Sequence, residues 1–330
     1  MANLCHPEVR NGSQSSEEIP KHANHAKSQD TQMNPPQDFK RQLLLALALF
    51  LLPTAVVGVN CRSAFSGLVL SYLVYFFDGS EYKPWSKFWP AFYKLFRWSH
   101  TRNLHSFATN VQTVFVNKGT LVKHPKVIYS LHPHGVMSMC HPQAFFSVPH
   151  ETCKLAASVC FKVPLMREAY LWSGMIDAGR PTCMKALEHG FSLTIVVGGT
   201  REQLIPYSPT HDTALCKSRK GFIKLARDAG RIPIVPCYSF GESIAYETSD
   251  FLLPFRRWLQ RRIGVGWAIA KTWRPRRLKD FVLVVGTPIE WEEEDTVETI
   301  HRKYVTAVKD LFYEHRGDYV EYADRELLIK

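Results

Sequence analysis

Four short apolar runs in the last two thirds of the chain constrain its fold more than any other feature. They are KVIYSL (126–131), SLTIVVGG (192–199), RIPIVPCYSF (231–240) and FVLVVG (281–286). Each is rich in β-branched residues and too short for a typical helix, which predicts a strand. This part of the chain is therefore expected to contain a sheet.

A helix is predicted between the second and third runs. In SRKGFIKLARDAG (218–230), the residues Phe222, Leu225, Ala226 and Ala229 fall on one helical face, and Gly230 marks the end. A strand, a helix and a strand in this order form a βαβ unit with parallel strands. Repeated units of this kind predict an α/β fold, a mainly parallel sheet flanked by helices, with ligands beyond the carboxyl ends of the strands.

Two uncharged apolar runs precede this region, at 43–59 and 64–77. Each is shorter than the roughly 20 residues of a spanning helix, and Pro53 interrupts the first, so two short spans and a re-entrant hairpin both fit. A buried core hairpin is the alternative. Basic residues on both sides of the runs place the flanks in the cytosol.

These features divide the chain into three parts. Residues 1–39 are polar and predict a disordered tail. Residues 40–78 form the predicted membrane hairpin, and residues 79–330 form a predicted cytosolic domain.

Charge and cysteine usage narrow the class of partner. The formal net charge of +11 favours an anionic partner, which nucleic acid, a phosphorylated ligand or an acidic membrane would satisfy. The 8 cysteines include no Cys-x-x-Cys pair, so reduced thiols in a cytosolic protein are expected.

The motif HPHG follows the first predicted strand. Pro133 favours an extended His132, and Gly135 allows a tight turn or a close approach to a ligand. A histidine fixed beside a hydroxyl can act as a general base, so His132 and His134 are candidate catalytic residues. Two alternatives stay open: histidines satisfied at a strand end, and a metal site that adds Cys140 and His141.

A second motif, VVGGTREQ, follows the second predicted strand. Gly198 and Gly199 let the backbone approach a ligand, Arg201 suits a phosphate or carboxylate, and Glu202 could orient a histidine. A plain glycine turn with solvated charges is the alternative.

Basic residues also mark two later positions. Arg219 and Lys220 begin the predicted helix, where a bound phosphate would explain cations beside the positive helix end, although solvated surface charges would also account for them. Residues 256–279 mix basic residues with Trp258, Trp267 and Trp273. Such a mixture suits single-stranded nucleic acid or an anionic lipid surface, and the preceding apolar runs favour lipid over nucleic acid. A merely solvated face is the third alternative for this segment.

Several motifs in the same order resemble the diacylglycerol acyltransferase type 2 family, which includes monoacylglycerol and wax-alcohol acyltransferases. They are HPHG, VVGG followed by Glu202, RKGFIKLARDAGRIPIVPCYSFGE (219–242) and VVGTPIE (284–290). GGTRE and IPIVP are also similar to motifs of glycerol-phosphate acyltransferases. There an aspartate follows the histidine, whereas Met137 and Met139 stand at the corresponding positions here. Glu202 is the candidate substitute.

The resemblance implies transfer of a fatty acyl group from acyl-CoA to diacylglycerol, giving triacylglycerol, by an acyltransferase domain at 79–330. It places the enzyme in the endoplasmic reticulum membrane facing the cytosol, with the lipid droplet as a second location. Monoacylglycerol and long-chain alcohols are alternative acceptors. The fold would be glycerolipid acyltransferase-like, and a homo-oligomer is compatible with it.

Roles for the candidate residues follow from this chemistry. We expect His134 to deprotonate the acceptor hydroxyl, His132 to position or polarise the thioester, and backbone N–H groups near Gly135, Gly198 or Gly199 to hold the oxyanion. Arg201, Arg219 and Lys220 would bind CoA phosphate or glycerolipid. Acyl-CoA is a substrate, and neither a cofactor nor a metal is required. A metal-dependent hydrolase using His132 and His134, or a non-catalytic lipid-binding membrane protein, remain competing classes.

Overall fold

The computed structural model describes the backbone of residues 61–330 and the side chains of residues 66–330. The helices are α1 (Cys61–Phe76), α2 (Pro90–Phe107), α3 (Lys118–Leu121), α4 (Cys140–Ser147), α5 (Met166–Trp172), α6 (Arg180–Glu188), α7 (Gly199–Glu202), α8 (Gly221–Asp228), α9 (Leu253–Ile263) and α10 (Val297–His315). The strands are β1 (Ala108–Phe115), β2 (Ile128–His132), β3 (Thr152–Ala156), β4 (Met175–Asp177), β5 (Ser192–Val196), β6 (His211–Ala214), β7 (Ile234–Phe240), β8 (Leu278–Val285) and β9 (Glu326–Ile329). The predicted tail and the first apolar run lie outside the described residues, so the hairpin stays a prediction.

The main sheet is mostly parallel, as the sequence predicts. Within residues 61–330 it contains 7 strands in the order β1-β8-β7-β2-β5-β3-β4. All neighbouring pairs are parallel except β7 and β8. The strands β7, β2, β5, β3 and β4 consequently end at the same edge, which is where the α/β fold is expected to bind ligands.

The central strands are buried because helices cover the sheet. Every residue of β2 and β7 is buried, and so are the last six residues of β8. Strands covered on both faces are continuously apolar, which is why the four predicted strands are confirmed as β2, β5, β7 and β8. The predicted amphipathic helix is α8, whose residues Phe222, Ile223, Leu225 and Ala226 are buried against the core.

Helix α1 contains most of the second apolar run. It exposes apolar side chains, of which Leu68 and Leu70 are the most exposed leucines. The Tyr72 hydroxyl donates a hydrogen bond of 2.8 Å to Glu168 Oε2 on α5, which joins α1 to the domain. None of the helices described between residues 61 and 330 is long and apolar enough to cross a bilayer.

A small parallel sheet of β6 and β9 lies beside the main sheet and is held by a buried ion pair. Arg325 Nη2 lies 2.6 Å from Asp212 Oδ1, and both side chains are buried. The Tyr238 hydroxyl donates to Asp212 Oδ2 over 2.6 Å, which ties β6 to β7 of the main sheet. The pair therefore fixes the strand that leads into the candidate site.

Removing one partner of this pair should destabilise the fold strongly. Arg325→Met leaves the Asp212 carboxylate buried without its counter-charge, which typically costs about 3–5 kcal/mol. The double variant Asp212→Asn/Arg325→Met should recover part of the loss, and Glu298→Gln, which breaks an exposed pair, should change stability much less. Urea unfolding in detergent measures these differences. A loss for Arg325→Met no larger than for Glu298→Gln would contradict the assigned role.

Candidate functional site

A cavity of about 910 Å³ opens at the carboxyl ends of β2, β5, β3 and β4. The predicted site residues His134, Gly198, Gly199, Arg201 and Arg219 all line it. Its wall toward β3 and β4 is mainly apolar and includes Leu155, Val159, Val163, Met166 and Met175. One end of the cavity is therefore polar and cationic, and the other suits a hydrocarbon chain.

Glu202 joins the two predicted motifs at this edge. Its buried carboxylate accepts a hydrogen bond of 2.8 Å from the backbone N–H of His134 and another of 2.8 Å from that of Leu215. It also lies 3.1 Å from His132 Nδ1. Since an ionised carboxylate can only accept, Nδ1 of His132 carries the proton.

The protonation state of Glu202 follows from these partners. Burial alone raises the pKa of Glu202, but His132 and the N–H of Leu215 outweigh that effect and lower the pKa below its ordinary value. Glu202 is therefore ionised at neutral pH and holds both the His132 ring and the backbone of His134.

His134 reaches the cavity, whereas His132 does not. His132 is fully buried and lines no described cavity, and its Nε2 has no hydrogen-bond partner among the described residues. The His134 ring is half-buried, and its Nδ1 donates a hydrogen bond of 2.9 Å to the Gly135 carbonyl. Burial lowers the pKa of His134. A neutral ring protonated on Nδ1 leaves Nε2 free to accept a proton.

A second buried acid, Glu242, supports the turn after His134, although the sequence patterns predicted no role for it. It accepts hydrogen bonds of 3.0 and 2.7 Å from the backbone N–H groups of Met139 and Cys140. A Cβ on Gly135 would lie 2.5 Å from Glu242 Oε1, and Gly135 has a φ of +59°, so glycine is required there. Burial raises the pKa of Glu242 to about 8. Its position directly after the run that became β7 could have identified it.

Gly198 makes room for Glu202. A Cβ there would lie 2.3 Å from the carboxyl carbon of Glu202. The Arg219 guanidinium donates a hydrogen bond of 3.1 Å from Nη2 to the Gly198 carbonyl, so Arg219 also supports this turn. Gly199 begins α7 and lines the large cavity beside Gly198. Gly135 lines a smaller neighbouring pocket instead of the large cavity.

The predicted cations have different surroundings. Arg201 is exposed at the rim of the cavity. Burial and the nearby Arg201 lower the pKa of Arg219. Lys220 Nζ instead lies 3.2 Å from Glu298 Oε1 on α10, and Lys220 lines none of the described pockets.

Cys140 and His141 lie close to the motif histidines, but their side chains bond to backbone carbonyls. Cys140 Sγ contacts the Pro133 carbonyl at 3.7 Å, and His141 Nε2 lies 3.0 Å from the Thr194 carbonyl. In the part of the chain that the structure describes, no group of three His, Cys, Asp or Glu residues could hold a metal ion.

Gly198→Ala should displace Glu202. The added methyl group meets the Glu202 carboxyl, and overpacking of this kind typically costs about 1–3 kcal/mol. Gly221→Ala is the matched control, because a Cβ on Gly221 meets nothing within 4 Å. Thermal unfolding of both variants in detergent measures the difference. Equal stability of the two variants would contradict the close packing of Gly198 on Glu202.

Comparison with known proteins identifies the family of this chain. The family model for diacylglycerol acyltransferase matches residues 64–330. The chain is 30% identical to diacylglycerol O-acyltransferase 1 of Eremothecium gossypii over 237 residues, covering 62% of this chain and 50% of that protein. It is 27% identical to acyl-CoA wax alcohol acyltransferase 1 of Homo sapiens over 270 residues, covering 73% of this chain and 78% of that protein.

Among solved structures, the chain resembles the 1-acyl-sn-glycerophosphate acyltransferase PlsC from Thermotoga maritima. The TM-score is 0.44 and the identity 13%, over 82% of this chain and 94% of that chain. The chain spans about half the length of the Eremothecium relative. Because the family model covers most of the chain, including both motifs of the site, the protein belongs to the diacylglycerol acyltransferase family.

Proposed function

We propose that this protein transfers a fatty acyl group from acyl-CoA to diacylglycerol and forms triacylglycerol. The observation that carries the proposal is the position of His134 on the wall of a large, partly apolar cavity. Burial also lowers the pKa of this histidine. The relatives described above are named as acyltransferases, which supports acyl transfer as the reaction. The long-chain alcohol acceptor of the human relative is the second candidate.

The reaction requires a base, a site for negative charge and a proton for the leaving group. The acceptor hydroxyl attacks the thioester carbonyl while His134 Nε2 takes its proton. Backbone N–H groups of Gly198 and Gly199 stabilise the oxyanion of the tetrahedral intermediate. The carbon–sulfur bond then breaks, and the CoA thiolate takes the proton from His134, so that the products are an ester and free CoA.

His132 and Glu202 act in this scheme as positioning residues. Neither side chain lines the large cavity, but Glu202 binds the His134 backbone N–H and the His132 ring together. The His134 ring direction therefore depends on a buried ionised carboxylate. No cofactor takes part in this scheme, because the thioester of acyl-CoA already contains the leaving group, the CoA thiolate.

The substrates are lipids, and an apolar surface beside the cavity suits their membrane. On α9 the exposed rings of Phe255 and Trp258 stack with centroids 5.8 Å apart, and Trp267 beyond the helix is half exposed. Aromatic residues of this kind favour the lipid interface. We place the protein on the cytosolic face of the endoplasmic reticulum, with lipid droplets as a second location.

His134→Ala should abolish most of the acyl transfer. Loss of a general base typically lowers turnover about 10²- to 10⁴-fold. The assay uses microsomes expressing the chain, labelled oleoyl-CoA and diacylglycerol, with the exposed His189→Ala as control. Wild-type turnover of a folded His134→Ala protein would remove His134 from the mechanism.

The same microsomes separate the alternatives. Monoacylglycerol and a long-chain alcohol, offered separately, report the preferred acceptor. Inhibition by a chelator together with bound zinc would favour a hydrolase. Membrane binding without any transfer would favour a lipid-binding role.

Acyl transfer should lose activity in acid because of His134. Burial lowers the folded pKa of His134 below its ordinary 6.5, so the ring is neutral above that pH and the rate is constant there. The rate should fall only as the pH drops through the lowered value, when Nε2 becomes protonated. The pH dependence of kcat/KM for oleoyl-CoA between about pH 5 and pH 8 tests this, because that ratio reports the pKa of the free enzyme. An acid limb centred above pH 6.5 would contradict a lowered pKa.

A further inference from the structure

A second cavity of about 410 Å³ adjoins the large one. Arg201 and Gln260 line both cavities. The second cavity is also lined by Arg257 and Arg261 of α9 and by Lys330. Its volume falls in the range of small-molecule sites, about 300–1,000 Å³.

Helix α9 presents two of its four arginines, Arg257 and Arg261, to this cavity and its aromatic rings elsewhere. Arg257, Gln260 and Arg261 stand at spacings of one helical turn and share a face. That face is anchored over α7, because Gln260 Nε2 donates a hydrogen bond of 3.1 Å to Thr200 Oγ1. Phe255 and Trp258 lie outside both cavities.

The cations of the second cavity lack acidic partners. The residues that line it include no aspartate or glutamate, and no described side chain pairs with Arg201, Arg257 or Arg261. Arg256, the neighbouring arginine, differs because it is buried and bonds to the carbonyls of Phe251 and Trp267. Like charges gathered around one cavity repel each other until an anion binds.

We propose that this second cavity binds the phosphate-bearing nucleotide part of acyl-CoA, an inference that rests on the proposed function. The thioester lies beside His134 in the large cavity, the chain of CoA passes Arg201, and its phosphates meet Arg257 and Arg261. Guanidinium groups bind phosphate oxygens in pairs, which suits this ligand. Arg257 and Arg261 replace the predicted Lys220, whose ammonium group pairs with Glu298.

Phosphate could come from a nucleotide or from a phospholipid headgroup. The nucleotide is the assigned source, because the basic cavity shares its wall with the cavity that contains His134. The aromatic side of α9 is the side that suits lipid, and the arginines that line the cavity do not share it.

The test compares Arg257→Ala/Arg261→Ala with wild type in uncharged detergent micelles. The KM for oleoyl-CoA should rise about tenfold, since two charge-assisted contacts are lost, while kcat changes less than about twofold. The KM for the oleoyl thioester of N-acetylcysteamine, which has no phosphate, should not change. Arg302→Ala on α10 is the control, because Arg302 is exposed and lines neither cavity.

Calorimetry with free coenzyme A separates this proposal from the proposed function. Weaker binding to the double variant than to wild type supports the nucleotide site even when no acyl transfer is detected. Equal binding of coenzyme A overturns it. An unchanged KM for oleoyl-CoA, combined with weaker binding to phosphatidylserine vesicles, overturns it in favour of a headgroup site.

Discussion

The buried carboxylate of Glu202 is the interaction on which the geometry of the site depends. Three donors from two distant parts of the chain converge on it: the His132 ring and the His134 backbone of the HPHG motif, and the N–H of Leu215 after β6. A buried charge is costly unless it is paired and hydrogen-bonded, so the fold must bring all three donors together. The HPHG turn is thereby fixed to α7 and to the small sheet.

Two buried acids hold the HPHG turn, which borders the open cavity. Glu202 holds the start of the HPHG turn, and Glu242 holds its end through Met139 and Cys140. The glycines leave space for these carboxylates, since a Cβ on Gly135 or Gly198 would overlap one of them. Both ends of the turn are thereby held by hydrogen bonds, and His134 at the start of the turn lines the cavity.

The sequence predicted the centre of the fold better than its edges. Strands β2, β5, β7 and β8 are continuous apolar runs, whereas β1 is partly exposed and β3 contains a buried lysine. Several cavity-lining residues followed from strand-end motifs. Glu202 was expected to orient a histidine, and it lies 3.1 Å from His132 Nδ1, 70 positions away, but the sequence could not predict which of the two histidines it meets. Lys220 shows what the sequence could not predict. Its place at the start of a helix was predicted, but its ion pair with Glu298 was not.

The burial and ion pairing of individual arginines and lysines determine which of them contribute to the positive charge at the surface. Arg167 and Arg325 are buried and bound to carboxylates, so their charge is used within the fold. Lys220 is exposed but paired with Glu298. Arg201, Arg257 and Arg261 are exposed around cavities, and no carboxylate among the described residues pairs with them, so their charge adds to the field outside the protein. The excess of basic residues predicted an anionic partner, and the nucleotide site proposed above would use the unpaired arginines.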